Sequence, residues 1–418
     1  MLLLFILFIA VLAAFTVWYH QLQRRAARKA LPIEQAPLHQ WTTDFLQSKR
    51  HRTDPVADDV VRQIIDRGEK DQVNRLFSII VDDDGSLPAD LPAEVLDYFE
   101  KTARLPPWAD KDLIALGQQV YIQHGMLISL LLSFKSLPEC YACAKGAKVL
   151  HETARLNEHS GSMDAYSRRI AETAQFVLYA MSPGGLSDNG RGIRAAQKVR
   201  LIHGVIRYYL RRQGWDAAQF DEPINQEDMA GTLMSFSALV LEGLQQLNVT
   251  LTEVETEAYM HCWRVIGYIM GLDDDLLPNN ATDALALGHA ILNHQIASSE
   301  QGKSLMVALL DFLHKLLPPF IPPETSVDMM RLMMGNDIAD KLGVPPARPQ
   351  DVEKLARTVR SITGVSEGLT HTLLLEVLIQ AISKPLLQAQ INYMDKNSTL
   401  DFYIPESLTK DWGFSTRA

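Results

Sequence analysis

From Asp58 onward, apolar residues recur at helical spacing, and proline or glycine marks most of the gaps. Val60, Val61, Ile64 and Ile65 form one stripe, and Val73, Leu76, Phe77 and Ile80 form the next. This spacing lines one face of a 3.6-residue helix and does not match the two-residue alternation of a half-buried strand. Asp82-Asp83-Asp84-Gly85 reads as a turn; it lacks the alternating ligands and closing Glu of a calcium loop. Leu105-Pro106-Pro107-Trp108 precedes a long apolar helix over 112–134, expected to be buried and to end at Ser136-Leu137-Pro138. Further helices are expected at about 141–157, 163–181, 190–213, 226–247, 251–270, 281–296, 301–317, 326–341, 351–361 and 369–392. Only Leu400–Ile404 reads as a short strand. The apolar stretch Leu369–Leu387 carries Glu376, Gln380 and Lys384 on one face, which suits a core helix or one lying on a bilayer. The reading is one all-α domain.

Residues Met1 to Tyr19 contain no charged side chain. As a helix they span roughly 28 Å, close to the hydrocarbon thickness of a bilayer. Trp18 and Tyr19 close the run where aromatic belts sit. A cleavable signal would carry basic residues before the run and a small-residue cleavage site. Here the basic residues Arg24, Arg25, Arg28 and Lys29 follow it, which places the C-terminal side in the cytoplasm. The expected organisation is a transmembrane anchor over 1–19, a linker and docking segment over 20–55, an all-α domain over 56–395 and a tail over 396–418. The cluster Lys49-Arg50-His51-Arg52 reads either as a contact for anionic lipid or as a solvated charge run.

The net charge of −10 speaks against a general nucleic-acid binder. Three cysteines, Cys140, Cys143 and Cys262, make no disulfide framework. Cys140-Tyr-Ala-Cys143 has no second pair to complete a zinc site and no following His for covalent haem, so both are read as ordinary partly buried thiols. No phosphate-binding GxxxxGK[ST], no HExxH and no GxSxG occurs. Paired Glu-x-x-His motifs of a di-iron bundle are also missing. The pairs Glu257/His261 and Glu367/His371 read as solvated or capping arrangements.

Two consecutive helices hold the best constellation. Arg169 and Thr173 are four residues apart and share a face, extended by Phe176 and Val177. On the next helix His203 lies on a stripe with Val199, Ile202, Ile206 and Leu210. Arg200 and Arg207 stand one turn either side of it, and Gly204 would let a flat group approach the backbone. A haem pocket needs such parts: an imidazole for the iron, apolar walls, and guanidinium groups for the propionates. A core histidine hydrogen-bonded to a neighbour fits the same pattern, and the arginines could be solvated neighbours.

Several segments together are similar to the MpaB-type oxygenase and latex-clearing-protein (rubber oxygenase) family. They are Arg168-Arg169-Ile-Ala-Glu172-Thr173, Ser182-Pro-Gly-Gly185 and Lys198-Val-Arg200-Leu-Ile-His203-Gly-Val-Ile-Arg207. The likeness extends to Leu105-Pro-Pro-Trp108, Trp215-Asp216, Pro223-Ile-Asn225-Gln226-Glu227-Asp228, Glu257-Ala-Tyr259-Met-His261-Cys-Trp263 and Asp275-Leu-Leu-Pro278. It covers roughly residues 70 to 345. The resemblance implies an all-α fold with a globin-like helical core and additional helices, holding haem b. It implies His203 as the proximal iron ligand, and Arg169 and Thr173 close to the haem. Rubber oxygenases use a Glu on the preceding helix as base, and Glu152 is the nearest candidate. Some carry a Lys just before the Thr that closes the iron's distal side; here that residue is Glu172, so no lysine-closed state is expected, and rubber itself becomes a doubtful substrate.

The expected function is therefore a membrane-anchored haem oxygenase acting with O₂ on a lipophilic unsaturated, isoprenoid-like substrate. The alternatives are a haem hydroperoxidase or peroxygenase on the same scaffold, and a non-catalytic haem sensor or membrane-tethered interaction module.

Overall fold

The structure is a computed structural model that describes residues 2–67, 91–155, 163–317 and 321–363. The expected stripe Val73–Ile80, the turn Asp82–Gly85, the helix 369–392, the strand Leu400–Ile404, the pair Glu367/His371 and the tail 396–418 lie outside the described residues. The first elements are α1 (Leu2–Glu34), α2 (Thr43–Lys49), α3 (Pro55–Asp66), α4 (Ala93–Thr102) and α5 (Lys111–Leu131). A π-helical turn, Leu132–Ser136, leads into α6 (Leu137–Ala142), followed by α7 (Ala144–Arg155), α8 (Met163–Met181) and α9 (Arg191–Arg212). Next come α10 (Ala217–Phe220), α11 (Gln226–Phe236), α12 (Ala238–Gln246) and α13 (Glu253–Ile269). The last are α14 (Ala281–Gln295), α15 (Glu300–Leu316), α16 (Glu324–Lys341) and α17 (Pro349–Thr363). Among the described residues the only β pairing is an isolated bridge between Cys143 and Ile296.

Helix α5 lies against α13 at the centre. Gly117 makes this possible: a Cβ there would overlap the Ala258 carbonyl and approach Cys262 Sγ to 2.7 Å. Around this pair Phe134, Tyr259, Trp263, Leu309 and Met330 join one continuous core. Replacing Gly117 with Ala would gain about 1 kcal/mol of helix propensity. Forcing a methyl into an immovable backbone costs about 1–3 kcal/mol or more. The clash wins, so Gly117→Ala is expected to lower the urea midpoint without changing the slope, as read by circular dichroism.

Pro138 does not end the long apolar helix, contrary to the sequence reading. The π turn resets the hydrogen-bond ladder, and Pro138 becomes the second residue of a new helix, where its missing N–H costs nothing. The run Lys111–Ala142 has the length and apolarity of a membrane span, yet half of its apolar window is buried inside the fold. The expected single helix over 226–247 breaks at Ser237, whose backbone leaves the helical region at φ −121° and ψ −89°.

Within the segment 20–55, expected as a linker and docking segment, the first fifteen residues continue α1. Helix α1 runs through Pro32 to Glu34, and Leu22, Ala26 and Ala30 are buried against Leu113, Leu116 and Ala258. Tyr19 donates to Glu255 at 2.6 Å, and Lys29 meets Asp110 at 2.6 Å and Asp112 at 2.8 Å.

The cluster at 49–52 is only partly a surface feature. Lys49 and Arg50 are 2% and 0% exposed, so neither is a lipid contact or a solvated charge. Lys49 pairs with Asp273 and Asp275. Arg50 is surrounded by Asp221 at 2.5 Å, Asp228 at 2.8 Å and Glu227 at 3.0 Å. A buried guanidinium requires such partners, and the fold brings them from far along the chain.

Candidate functional site

Helices α8 and α9 are joined by the turn Ser182–Gly190, and glycine sets how tightly it closes. Gly184 adopts φ +79°. A Cβ on Gly185 would strike the Tyr179 carbonyl, and one on Gly192 would come within 2.5 Å of Ala180 Cα. Gly192 is thus seated on Ala180, where the two helices approach most tightly. Phe176, Val199 and Ile202 pack as partly buried side chains around Tyr179 and Ala195.

His203 sits in this region. Its Nδ1 is buried and has no hydrogen-bond partner among the described residues. Burial and then the positive Arg207 push its pKa down to about 3, with Asp54 opposing. The ring is therefore neutral near pH 7, the protonation state in which imidazole ligates a metal. A core histidine held by a neighbour's hydrogen bond would instead show a satisfied Nδ1.

The two arginines are not offered to an acidic cofactor in this structure. Arg200 forms a two-pronged pair with Asp54 at 2.6 and 2.8 Å and donates to the Ile269 carbonyl. Arg207 pairs with Asp58 at 2.6 Å and donates to the Ile224 carbonyl. Asp54 and Asp58 stand at the start of α3, which packs along α9. Gly204 faces the same way: a Cβ on it would come within 3.3 Å of the Ala57 backbone, so the flat group it admits is α3 itself. The spacing that sets Arg200, Gly204 and Arg207 one turn apart thus serves helix packing, while His203 stands on the neighbouring face. Leu201, Val205 and Tyr209 complete the α3 contact with Val61, Ile64, Tyr98 and Phe99.

Two of the three expected catalytic residues share one turn of α8, and Glu152 lies on α7. Thr173 is exposed and donates to the Arg169 carbonyl at 2.9 Å. The Arg169 charge acts on the Tyr141–Tyr166 hydroxyl pair, which are 2.9 Å apart. Glu152 is held by Lys148 at 2.7 Å on its own helix. Among the described residues no hydrogen bond links any of the three to His203.

Cys140 rests its thiol 3.1 Å from Ser235 Oγ, and burial pushes it up to about 11; Cys143 is raised further. In both, burial favours the protonated thiol over the thiolate. Glu257 and His261 are buried rather than solvated, and each binds the backbone at the start of another helix: Glu257 accepts from Ala281 N and His261 Nε2 from Asp110 N, both at 2.9 Å. No group of three or more metal-ligating side chains occurs among the described residues.

The sequence reading did not find the acidic clamp on α9. Its only trace was the helical spacing of Asp54 and Asp58, which nothing local ties to arginines some 150 residues away.

The family described as "ER-bound oxygenase mpaB/B'/Rubber oxygenase, catalytic domain" matches residues 117–363. The "Rubber oxygenase" of Streptomyces sp. (strain K30) is 25% identical over 357 residues, 84% of this chain and 85% of that protein. The solved "Structure of Latex Clearing Protein LCP in the closed state" superposes with a TM-score of 0.67 at 25% identity, covering 81% of this chain and 91% of that one. The match takes in α8, α9 and the glycine turn between them, and the all-helical architecture agrees, so this chain belongs to the MpaB/rubber oxygenase catalytic-domain family.

Proposed function

We propose that the protein is a haem b-dependent oxygenase, held at a membrane by the apolar half of α1 with its domain on the cytoplasmic side. Its substrate is a lipophilic unsaturated molecule of isoprenoid type. The observation that carries this reading is His203: a neutral imidazole with an unpartnered buried Nδ1, on a half-covered apolar stripe, in a chain of this family. His203 would hold the iron. Phe176, Val199 and Ile202 would cover the ring. When bound, haem supplies the capacity to bind and activate O₂. Arg200 and Arg207 act as positioning residues, fixing α9 on α3 and with it the direction of the imidazole. Arg169 and Thr173 would supply the charge and hydroxyl nearest the haem, and Glu152 is the nearest carboxylate on the preceding helix for moving a proton.

The experiment is an absorption spectrum and iron assay of the full-length protein expressed with adequate iron and haem supply. O₂ uptake with an isoprenoid-containing lipid extract follows. The expected result is a Soret band, one iron per chain and aldehyde or ketone products. A haem-free protein, or oxidation driven only by peroxide, would overturn it. Arg169→Ala and Thr173→Ala are each expected to lower turnover about tenfold or more, the effect of removing one charged or polar contact from a reacting centre. Helix content should stay unchanged. Full activity in both variants would remove them from the site.

A further inference from the structure

A second group of polar side chains lies away from His203, in a narrow crevice where the end of α1 meets α13 and the start of α14. Its walls are Ile33, Leu233, Met260 and Pro278, and Glu257, His261 and Arg264 project into it from successive turns of α13. Arg264 is the unusual member. Its guanidinium carbon stacks 4.2 Å over the Trp108 ring, and its Nε is buried without a hydrogen-bond partner among the described residues. Arg50, Arg200, Arg207 and Arg331 each form an ion pair with a carboxylate; Arg264 does not, and neither does Arg194, which stacks on Phe99 but donates to Gln197 Oε1. The carboxylates that act on Arg264, Asp274 and Asp283, do so only from beyond ion-pair distance. Asp283 is already held by His39 at 2.5 Å and Trp41 at 3.1 Å. His261 adds a second donor: its Nε2 accepts from Asp110 N, so the proton of the neutral ring is on Nδ1.

We propose that this crevice binds a small oxyanion, of carboxylate or phosphate chemistry, through the Arg264 guanidinium and His261 Nδ1–H. A half-buried guanidinium stacked on an aromatic ring presents its donors in a fixed fork suited to such an anion. The free space is small, so the occupant has only a few heavy atoms. Glu257 limits the charge the site tolerates; burial raises its carboxyl to about 7, so its repulsion of an anion weakens as the pH falls below neutrality. Bound there, the anion would join α13 to the end of α1, whose Ile33 lines the same crevice.

The test titrates the full-length protein with sodium phosphate and with sodium acetate, against sodium chloride at matched ionic strength. The readouts are thermal stability and the NMR signal of Arg264 Nε–H in protein labelled with ¹⁵N-arginine. The expected result is saturable stabilisation by phosphate or acetate, with the Arg264 signal moving along the same curve. In Arg264→Gln the affinity should fall about tenfold or more, the loss of one charge-assisted contact. An Arg264 signal that both anions leave in place overturns the proposal. So does equal stabilisation of wild type and Arg264→Gln.

Discussion

His203→Ala is expected to abolish haem binding, with loss of the Soret band and of protein-bound iron. The axial nitrogen is the one protein atom that would bond the iron directly, and no neighbouring side chain on α9 can replace it. The rival reading, a core histidine, predicts a different outcome. Removing such a residue would cost at most a few kcal/mol of stability and leave any haem spectrum unchanged. The structure separates the two cases further. Because Nδ1 has no hydrogen-bond partner to lose, the substitution removes no existing bond from the described residues. The apoprotein should therefore fold with little change in helix content, and the spectral loss cannot be attributed to collapse. An unaltered spectrum in a folded variant would end the haem assignment.

Arg50→Ala is expected to be the most destabilising substitution of a charged residue in the chain. Arg50 closes α2, is fully buried, and binds Asp221, Glu227 and Asp228 together. Removing one partner of a buried ion pair costs about 3–5 kcal/mol, because the remaining charge stays buried and uncompensated. Two of the acids keep other partners: Lys145 remains on Asp221 at 2.7 Å and His294 on Glu227 at 2.6 Å. These soften the loss without cancelling it. Arg50→Lys cannot reach three carboxylates with one compact ammonium group, so it should recover only part of the stability. Equilibrium urea unfolding distinguishes the cases, and a midpoint within error of wild type for Arg50→Ala would show that the network contributes nothing.

Apart from the short α10 and the break between α11 and α12, the helices from α8 to α17 were legible in the sequence because apolar periodicity, caps and breakers agree there. The turn at Ser182–Gly190 shows why: its glycines are required by close backbone approach, so the break is written locally. Pro138 misled because proline stops a helix only where its N–H is needed, and the π turn before it removes that need. Residues 20–34 read as part of a linker and docking segment, and one face of them carries Leu22, Ala26 and Ala30, small enough to dock on α5 and α13.

The sequence by itself determined the helical class, most element boundaries, the helix that carries His203 and the family. These follow from spacing along one helix and from motifs of contiguous residues, and both are local properties. Only the tertiary structure decided which charges are partners. Lys49 and Arg50 read as a surface cluster, and Arg200 and Arg207 read as guanidinium groups for haem propionates, until the fold was seen to set Asp273, Asp221 and Glu227 against the first pair and Asp54 and Asp58 of α3 against the second. The physical reason is that a buried cation is stabilised by whichever carboxylate the fold places within about 3 Å, and that carboxylate can come from anywhere in the chain. For Arg200 it is Asp54, 146 residues away. Periodicity can say which face of a helix a residue occupies, but not what covers that face.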